Sequence, residues 1–527
     1  MRRLLFLFIA LFVGAAATAA PPKPNIVLIM ADDLGYSDLG CYGSEVATPN
    51  LDRLAANGLR FTQFYNCGRC CPTRASLLTG LYPHQAGIGH MLGNWSPPAY
   101  SNGLHDRCVT IAQLLKPAGY RTYQVGKWHV SPLAPAHKHN WPLQRGFDRC
   151  FALIGERNHF LPKSFVADNE IVPQKGDVYA TNIFSDQAVK YLEEGREQKE
   201  PFFLYLAYTA PHFPLHALPE DIDKYVGKYR GGWDQLREKR FARMKELGIA
   251  SKEWTLSPRD PDAKPWESVK DVEEWDRRMA VHAAMIECMD RGIGRVVETL
   301  KKQNQLDNTL IFFLSDNGAS AEYLEFGHKA GSAIGTKESF RTLETGWANA
   351  ANTPFRYHKM WMHEGGIATP LIAHWPAGMN DKGGLTREVG HVIDMMATCL
   401  DVAGVEYPKA FNGKELVRQQ GRSLLPTLQG KPRAGHDGLF WEHEGNKAIR
   451  QGQWKLVAEH GKGWELYNLE ADRTEQKNLA GEKPDLASAL AVRWEQWAKD
   501  VGVRPWRELA PRFEAGLLKQ HPEYRKK

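Results

Sequence analysis

The sequence has few of the features that mark a fibrous, repetitive or membrane-spanning protein. Its 527 residues contain no internal repeat and no low-complexity tract, which excludes solenoid and disordered architectures. After the apolar run at residues 4–13, no stretch approaches the ~20 apolar residues of a transmembrane helix. Eight cysteines are too few for a disulfide scaffold in a chain of this length. What remains is a globular protein with room for one large domain and a smaller one.

The excess of basic residues is also small. Lysine and arginine total 67 against 61 acidic residues, for a formal net charge of +6. A balance this close to neutral does not favour a polyanionic partner. We therefore predict that the protein binds no nucleic acid.

The N-terminus has the pattern of a secretory signal. Arg2 and Arg3 precede the apolar run at 4–13, and small residues follow at 15–20. Cleavage after Ala20 would remove both arginines and lower the net charge from +6 to +4. An uncleaved anchor is the alternative. We predict that residues 1–20 are removed, that the protein is exported to the periplasm or secreted, and that no membrane anchor remains.

Two predicted strands end in residues with oxygen-bearing side chains. The apolar runs 25–31 and 309–314 are typical of parallel strands covered on both faces. The polar residues that follow them are Asp32, Asp33, Asp316 and Asn317. Open α/β sheets bind ligands at this end of their strands, and adjacent buried carboxylates require a cation. A plain solvated turn is the alternative at each strand end.

Basic side chains follow three other predicted elements, the strands 121–125 and 201–208 and a loop at 352–359. These side chains are Lys127, His129, His212 and Lys359. Lys127 and His129 lie two positions apart on a segment that we expect to be extended, so both face one pocket. Prolines on either side of His212 restrict its backbone. Taken alone, each residue also fits a surface cation or a hydrogen-bonded loop histidine.

The most distinctive stretch runs from residue 66 to residue 80 and contains Cys-Cys-Pro-Thr-Arg. Proline is favoured in the first helical turn, so we expect Pro72 to open a short helix. Cys70 then lies at a helix N-terminus, where free N–H groups and the dipole favour an anion. Arg74, one turn further on, adds a cation that faces the same place. The alternative is a disulfide or zinc cluster made by Cys67, Cys70 and Cys71.

The predicted ligands are oxygen atoms without a His or Cys pattern of zinc spacing, which suits Ca²⁺ or Mg²⁺. Three carboxylates against one divalent ion leave one negative charge, whereas Arg74, Lys127 and Lys359 add three positive charges. This balance leaves room for an anionic monoester and stabilises charge on its transferred group. A nucleophile is still needed, and the Cys70 thiol could attack, but a metal bound by oxygen atoms prefers an oxygen ligand at this place.

With these motifs the chain resembles the type I, formylglycine-dependent sulfatases of the alkaline phosphatase superfamily. The likeness covers residues 25–469 and includes Cys-x-Pro-x-Arg at 70–74. The other matching segments, in family order, are Ala31-Asp32-Asp33-Leu34-Gly35, Gly126-Lys127-Trp128-His129, Ala210-Pro211-His212, Ser315-Asp316-Asn317-Gly318, Glu364-Gly365-Gly366 and Glu465-Leu466-Tyr467-Asn468-Leu469.

Two further segments, 87–91 and 352–356, look closest to the bacterial arylsulfatase branch. The chain also departs from the family pattern at two places. Cys71 stands where a small residue is more usual, and Ala368-Thr369 stands where many relatives have Arg-Val, so one cation is absent.

The resemblance implies an α/β fold with a large mixed, mostly parallel sheet sandwiched by helices, as in alkaline phosphatase, and a smaller C-terminal α+β domain. We predict a catalytic domain at 21–407 with a surface insertion at 215–275, followed by the small domain at 408–527. The small domain contains an antiparallel sheet. Its predicted strands are 439–443, 448–458 and 464–469.

The resemblance also implies a metal site and a nucleophile. One Ca²⁺ ion, with Mg²⁺ as the alternative, would be held by Asp32, Asp33, Asp316, Asn317 and a formylglycine formed from Cys70. One hydroxyl of the formylglycine diol would attack sulfur and give a covalent sulfo-enzyme intermediate.

The remaining residues would hold the reactants or transfer protons. Arg74 and Lys127 would position the diol, while Lys127, Lys359 and His212 would contact the sulfate oxygens. His212 would act as general acid for the leaving alcohol. His129 would take the proton from the second hydroxyl and so release sulfate.

The implied activity is hydrolysis of sulfate monoesters, either of an aryl sulfate or of a sulfated carbohydrate. The implied partners are a small-molecule or glycan sulfate ester and a formylglycine-generating enzyme. One alternative is a phosphodiester or phosphonate monoester hydrolase with the same diol. Another is a non-catalytic exported binding protein whose cysteines are structural.

Overall fold

Strands and helices alternate along most of the chain. The computed structural model describes residues 23–154, 158–160, 164–173, 176, 178–323, 329, 331–380 and 382–520, so the predicted signal at 1–20 lies outside the described residues. The strands are β1 Asn25–Ala31, β2 Leu59–Tyr65, β3 Arg121–Lys127, β4 Arg149–Leu153, β5 Ser164–Ala167, β6 Glu170–Pro173, β7 Phe202–Ala207, β8 Thr309–Ser315, β9 Ala368–His374, β10 Gly384–His391, β11 Ala410–Phe411, β12 Lys414–Glu415, β13 Leu439–His443, β14 Asn446–Gln451, β15 Trp454–Ala458 and β16 Glu465–Asn468. The α-helices are α1 Pro49–Ala56, α2 Cys70–Thr79, α3 Pro83–Ala86, α4 Ile111–Leu115, α5 Ala180–Glu194, α6 Pro219–Ile222, α7 Gly232–Glu246, α8 Val272–Lys302, α9 Glu344–Ala351, α10 Glu364–Ile367, α11 Asp394–Ala403, α12 Leu425–Leu428, α13 Pro484–Val501 and α14 Trp506–Gln520.

Ten of these strands form one large sheet in the order β10-β2-β9-β8-β1-β7-β3-β4-β5-β6. The central strands β8, β1, β7, β3 and β4 run parallel. Strand β9 is antiparallel to both its neighbours, and β5 and β6 form an antiparallel edge. The predicted mixed, mostly parallel sheet is therefore confirmed.

Both faces of the sheet are covered, as the continuous apolar runs indicated. In β1, Val27 and Ile29 belong to a core shared with α5 and α8. Ile26, Leu28 and Met30 point the other way, into a core shared with α2, α4 and α11. Complete burial of an aliphatic side chain contributes roughly 1.5–3 kcal/mol, so both layers stabilise this strand. Within the described part of the chain, no helix has the length and apolar character needed to cross a membrane.

The predicted antiparallel sheet near the C-terminus is confirmed, and it has four strands in the order β13-β14-β15-β16. The expectation of one strand at 448–458 is wrong, because the chain reverses there between β14 and β15. Gly452 makes the reversal feasible with a φ of 57°, in the left-handed region that glycine tolerates best. Helix α13 packs against this sheet. The boundary predicted at 407/408 stays a prediction.

Residues 215–275, predicted as a partly helical insertion, carry α6 and α7 and contact the rest of the protein. The ring of Trp233 lies 5.4 Å from that of Trp347 in α9. Arg240 is buried and forms a 2.8 Å ion pair with Asp38, which follows β1. These contacts hold α7 against the large sheet's helical layer.

A buried ion cluster joins the small sheet to the large one. Glu364, at the start of α10, accepts hydrogen bonds from Lys455 Nζ and Arg473 Nε, both at 2.9 Å, and from Tyr65 Oη at 2.8 Å. Burial opposes its ionisation, but Lys455 and Arg473 outweigh burial and lower the pKa of Glu364 to about 2. The carboxylate therefore stays charged and compensates two buried cations.

Replacing Glu364 with alanine is expected to lower the free energy of unfolding by about 3–5 kcal/mol, because buried Arg473 loses its carboxylate partner, whereas Lys455 keeps Glu475 at 2.8 Å. Chemical denaturation measures the change. Glu298→Ala is the control, since this exposed glutamate of α8 is expected to matter by less than about 0.5 kcal/mol. Because the folded-state pKa is depressed, the contribution is present above the unfolded value of 4.5 and is lost as the pH falls toward 2. Equal stability of the two variants would contradict this assignment.

Candidate active site

Strand register brings the polar strand ends to one edge of the sheet. Ala31 of β1 pairs with Ser315 of β8, so the acidic residues that follow both strands are neighbours. On the other side of β1, Met30 pairs with Ala207 of β7, which in turn pairs with Gly126 of β3. The segments that leave β1, β8, β7 and β3 therefore emerge at the same place.

The four predicted oxygen ligands meet at this edge and are at most 2% exposed. The backbone N–H of Asp33 donates to Asp316 Oδ1 at 3.2 Å, and Asn317 Nδ2 donates to Asp33 Oδ1 at 2.6 Å. Arg74 donates to Asp316 Oδ2 from Nη2 at 2.7 Å and from Nε at 3.1 Å. The same guanidinium lies 3.7 Å from Asp32 Oδ1.

Two observations show that this cluster fits a cation. Asp32 Oδ1 and Asn317 Oδ1 are buried and accept no hydrogen bond from the described residues. Burial, together with repulsion from Asp32, raises the pKa of Asp316 to about 7. The neighbouring cations thus leave the carboxylates incompletely compensated. A set of carboxylate and amide oxygens suits a hard divalent ion.

Three predicted basic residues face the same carboxylates. Lys127 Nζ lies 2.6 Å from Asp32 Oδ2, and Lys359 Nζ lies 2.8 Å from Asp33 Oδ1. His212 Nε2 lies 3.5 Å from both Asp33 Oδ2 and Lys359 Nζ. Burial opposes the lysine charges, but the carboxylates outweigh it and raise both lysine pKa values. Burial lowers the pKa of His212 well below its usual value.

The helix that carries Cys70 begins earlier than predicted. Cys70 is itself the first residue of α2, and the extended Arg69 precedes it as the N-cap. The expectation that Pro72 opens the helix is wrong by two residues, because Pro72 is the third residue and still lies within the turn whose N–H groups lack helical partners. The helix ends at Thr79, and Gly80 caps it with a left-handed φ of 68°.

The pKa values of the adjacent Cys70 and Cys71 thiols are shifted in opposite directions. A hydrogen bond with the Cys71 thiol, followed by the charge of Lys127, lowers the pKa of Cys70 well below its usual value. Burial instead raises the pKa of Cys71 well above the usual value. Ionisation is therefore favoured at the first cysteine of the pair and opposed at the second.

The cysteines do not form the predicted alternative cluster. All eight, each within the described part of the chain, have free thiols. Cys67 Sγ donates a hydrogen bond to Ser76 Oγ at 3.4 Å. Among the described residues, the cysteine-containing group whose possible ligand atoms lie within 4.8 Å of one another consists of Cys70, Cys71 and His129, without Cys67.

His129 reaches the site by a different backbone path from the one predicted. The expectation of an extended segment is wrong at this residue, whose φ of 52° is left-handed. This turn carries the ring back to Cys70, one of its electrostatic neighbours. Burial lowers the pKa of His129, which favours the neutral ring at pH 7.

Two residues of the site were missed by the sequence analysis. Glu322 lies between Arg69 and Lys359, with Oε1 3.1 Å from Arg69 Nη2 and Oε2 3.0 Å from Lys359 Nζ. Burial opposes the Glu322 charge, but these two cations outweigh it and lower its pKa. Arg69 had one available signal, its position beside Cys70. Glu322 lies in a loop without periodic pattern and had none.

Buried cations beside a cluster of oxygen ligands make this edge of the sheet suited to binding an anionic ester. The family profile described as Sulfatase matches residues 24–405. The chain therefore belongs to the sulfatase family, and the resemblance inferred from its motifs is confirmed. A second profile, described as N-sulphoglucosamine sulphohydrolase, C-terminal, matches residues 355–496.

Known relatives align with nearly the whole chain. An uncharacterized sulfatase of Schizosaccharomyces pombe is 35% identical, across 92% of this chain and 95% of the relative. The arylsulfatase of Klebsiella aerogenes is 33% identical, across 80% of this chain and 96% of the relative. The N-acetylgalactosamine-6-sulfatase of Sus scrofa is 30% identical, across 89% of this chain and 78% of the relative. Among solved structures, Ps i-CgsB in complex with k-i-k-neocarrahexaose has a TM-score of 0.66 at 28% identity, across 90% of this chain and 93% of that one.

The protein is thus a sulfuric ester hydrolase. Membership of this family generally implies a formylglycine and a divalent metal ion, and the oxygen cluster described above fits such an ion.

Proposed function

We propose that this sulfatase hydrolyses the sulfate ester of a saccharide, using a formylglycine made from Cys70 and a bound Ca²⁺ ion. The observation that carries the proposal is that the fold brings Cys70, a histidine and a cluster of oxygen ligands to the same edge of the sheet. Cys70 begins a helix beside His129 and interacts electrostatically with Asp316. In the same carboxylate cluster, Asp32 and Asn317 each have a buried oxygen that accepts no hydrogen bond from the described chain.

The metal would be held by residues from two strand ends. They are Asp32, Asp33, Asp316, Asn317 and an oxygen of modified residue 70. Ca²⁺ accepts six to eight oxygen ligands in flexible geometry, which suits a mixed set of carboxylates and one amide, and Mg²⁺ is the alternative. Bound here, the ion would supply positive charge to the sulfate oxygens and to the nucleophile.

The residues around position 70 would orient the nucleophile and move its protons. As a hydrated formylglycine, residue 70 would supply an oxygen that attacks sulfur. Arg74 and Lys127 would hold that group, since each pairs with a carboxylate of the site and interacts electrostatically with Cys70. His129 would accept a proton from residue 70, and its depressed pKa keeps the ring available as a base at pH 7.

His212, Lys127 and Lys359 would contact the sulfate ester, with His212 next to the leaving group. The Nδ1 of His212 pairs with the carbonyl oxygen of Phe213, so Nδ1 carries a proton and Nε2 faces the site. A bound sulfate would add negative charge beside Nε2, favour its protonation and prepare it to protonate the leaving oxygen. Lys127 and Lys359 would contact the sulfate oxygens.

A saccharide is the proposed substrate because two relatives are linked to saccharides by name. One is the N-acetylgalactosamine-6-sulfatase of Sus scrofa, and the other is Ps i-CgsB, which was solved with a neocarrahexaose. The predicted signal at 1–20 supports export to the periplasm or secretion, where sulfated glycans are accessible. Cys70 would be converted by a formylglycine-generating enzyme. The divisions at 21–407, 215–275 and 408–527 remain our proposal for the domains.

The proposal is tested by comparing substrates with the full chain produced together with a formylglycine-generating enzyme. The panel contains 4-nitrophenyl sulfate, N-acetylgalactosamine 6-sulfate, a sulfated carrageenan oligosaccharide and bis(4-nitrophenyl) phosphate. We expect kcat/KM for a sulfated saccharide to exceed that for the aryl sulfate by at least about tenfold, or ~1.4 kcal/mol of transition-state binding. Faster turnover of the phosphodiester than of every sulfate ester would overturn the proposal.

A further inference from the structure

The C-terminal helix α14 packs on the segment at residues 90–95, which follows α3 in the chain. The ring of Trp506 stacks on the ring of His90, with centroids 5.0 Å apart and an interplanar angle of 26°. The ring of Phe513 meets the same imidazole edge-on at 4.7 Å and the ring of Trp95 at 5.7 Å. Trp506 and Phe513 are seven residues apart, so they lie on one face of the helix. That face therefore contacts both ends of the segment.

Close packing and two hydrogen bonds fix Trp95 between α14 and Met91. Arg512 Nη1 donates to the carbonyl oxygen of Trp95 at 2.6 Å. The indole Nε1 of Trp95 donates to the carbonyl oxygen of Met91 at 2.9 Å. A Cβ atom at Gly516 would lie 2.5 Å from the Trp95 ring, so a larger residue there would displace the ring. The position of the Met91 backbone thus depends on contacts that α14 supplies.

Met91 in turn contacts the residue proposed as the nucleophile. Its Sδ lies 4.0 Å from Cys70 Sγ, and Cys70 is only 2% exposed. The backbone of Leu92 forms a hydrogen bond with the thiol of Cys71, the next residue of α2. The segment that α14 holds therefore contacts both residues at the start of that helix.

The neighbours of Cys70 differ in polarity. Lys127 and His129 interact with its thiol electrostatically. Met91 instead adds an apolar thioether. Methionine has three rotatable side-chain bonds and forms only weak hydrogen bonds, so its position depends on the packing around it. A fixed backbone at residue 91 therefore maintains this apolar contact with residue 70.

His90 provides a second path of contact from α14 to this site. Its ring also stacks on that of His443, with centroids 4.7 Å apart and an interplanar angle of 9°. His90 Nε2 lies 2.9 Å from Glu444 Oε1, which fixes the direction of the ring. His443 is buried and interacts electrostatically with Arg69 and Cys70. Loss of the α14 contacts would therefore loosen a second group of residues near Cys70.

Helix α14 lies outside the parts of the chain that the two family profiles match. Those matches end at residues 405 and 496, and α14 begins at Trp506. The profiles therefore do not describe the contacts of α14 with the segment at 90–95.

We propose that α14 positions residue 70 for its attack on sulfur. Trp506 and Phe513 would hold the segment at 90–95, so that Met91 stays packed against residue 70 and restricts the directions that its reactive oxygen can take. This inference rests on the proposed function in one respect, the use of residue 70 as the nucleophile. Trp506, Phe513 and Met91 would be positioning residues, since none of them takes part in making or breaking a bond.

The first test measures how well α14 protects residue 70, and it requires no turnover. Protein produced in a host without a formylglycine-generating enzyme keeps the Cys70 thiol, which is alkylated with iodoacetamide and quantified by mass spectrometry. We expect Trp506→Ala together with Phe513→Ala to raise the alkylation rate of Cys70 at least about tenfold, because the segment opens locally. Cys150 of β4 and Cys399 of α11, both buried, should react as slowly as in the wild type.

Arg507→Ala is the matched control, since Arg507 is the exposed neighbour of Trp506 in the same turn of α14. This variant should protect Cys70 as the wild type does. A general loss of stability in the double variant would expose every buried cysteine, so an equal rise at Cys70, Cys150 and Cys399 would overturn the inference. An unchanged alkylation rate at Cys70 would overturn it as well.

The second test measures turnover of 4-nitrophenyl sulfate by converted protein, with rates normalised to the fraction of aldehyde at residue 70. We expect the double variant to lower kcat about tenfold and to keep KM within about threefold, because the nucleophile is misplaced while the substrate contacts remain. A rise in KM without a fall in kcat would contradict the positioning role.

Conservative variants distinguish positioning from a general need for these residues. Trp506→Phe keeps an aromatic ring against His90, and Met91→Leu keeps an apolar side chain of similar volume. We expect each to retain most of the kcat and the protection of Cys70, and loss of both in Trp506→Phe and Met91→Leu would count against the inference. An active wild type without an aldehyde at residue 70 would overturn the proposed nucleophile, and this role with it.

Discussion

Replacing Cys70 with alanine is expected to lower the rate of sulfate-ester hydrolysis by a factor on the order of 10⁶, the scale seen when a hydrolase loses its covalent nucleophile. The variant should still fold. Cys70 is buried, but alanine removes only a sulfur atom, and it is a good helix former at this first position of α2. Initial rates with 4-nitrophenyl sulfate measure the loss, and thermal unfolding checks the fold.

Cys71→Ala is the matched control, because it removes the adjacent buried thiol from the same helical turn. We expect this variant to remain convertible at position 70 and to keep turnover within about tenfold of wild type. Mass spectrometry of the 66–80 peptide separates the two positions, since conversion to the aldehyde lowers the mass relative to cysteine. Full activity of Cys70→Ala, or an aldehyde at residue 71, would rule out the proposed nucleophile.

The sequence predicts the centre of this fold well because the centre is buried. The runs 25–31 and 309–314 are both predicted as strands. The first coincides with β1, and the second coincides with β8 to within one residue. Their apolar side chains leave few alternatives to a covered sheet. Once β1 and β8 are adjacent and parallel, their registered ends bring Asp32 and Asp316 together without further information.

The edges of the sheet were not predictable in the same way. Strand β10 has the sequence GLTREVGH, and its first six residues are all exposed or half-buried. It is held mainly by backbone pairing with β2, which leaves no apolar signature. The hairpin of β14 and β15 was read as one strand for a related reason, because its short turn is flanked by strand-forming residues on both sides.

Local backbone conformation and long-range polar contacts account for the remaining differences at the site. The left-handed φ of His129 depends on how the loop after β3 packs, and the two-position spacing of Lys127 and His129 does not encode it. Glu322 acquires its role only when folding places Arg69 and Lys359 on either side of it. Such contacts join residues that are far apart in the chain, so no periodic pattern in the sequence predicts them.

Adding Ca²⁺ to chelator-treated protein is expected to increase the free energy of unfolding, and Asn317→Ala should remove most of that increase. An ion that binds only the folded state stabilises it by about 2.7 kcal/mol at 100 times its Kd. Asn317 Oδ1 accepts no hydrogen bond within the described chain, so the calcium-dependent increment reports the lost metal ligand. The lost bonds from Nδ2 to Asp33 Oδ1 and to the Gly318 carbonyl lower the stability at every ion concentration instead. Thermal unfolding with Ca²⁺ or Mg²⁺, each against chelator, measures the increment and compares the two ions.

Asn352→Ala is the control for a buried asparagine whose amide is used entirely within the protein. Its Oδ1 accepts from Ala319 N–H at 2.8 Å, and its Nδ2 donates to the carbonyl oxygens of Ala319 and Tyr357, both at 3.3 Å. This variant should be less stable at every ion concentration and yet keep the full calcium-dependent increment. The opposite pattern, with the increment intact in Asn317→Ala and lost in Asn352→Ala, would remove Asn317 from the metal site. Because the increment is read from unfolding alone, the result does not depend on conversion of Cys70 or on the choice of substrate.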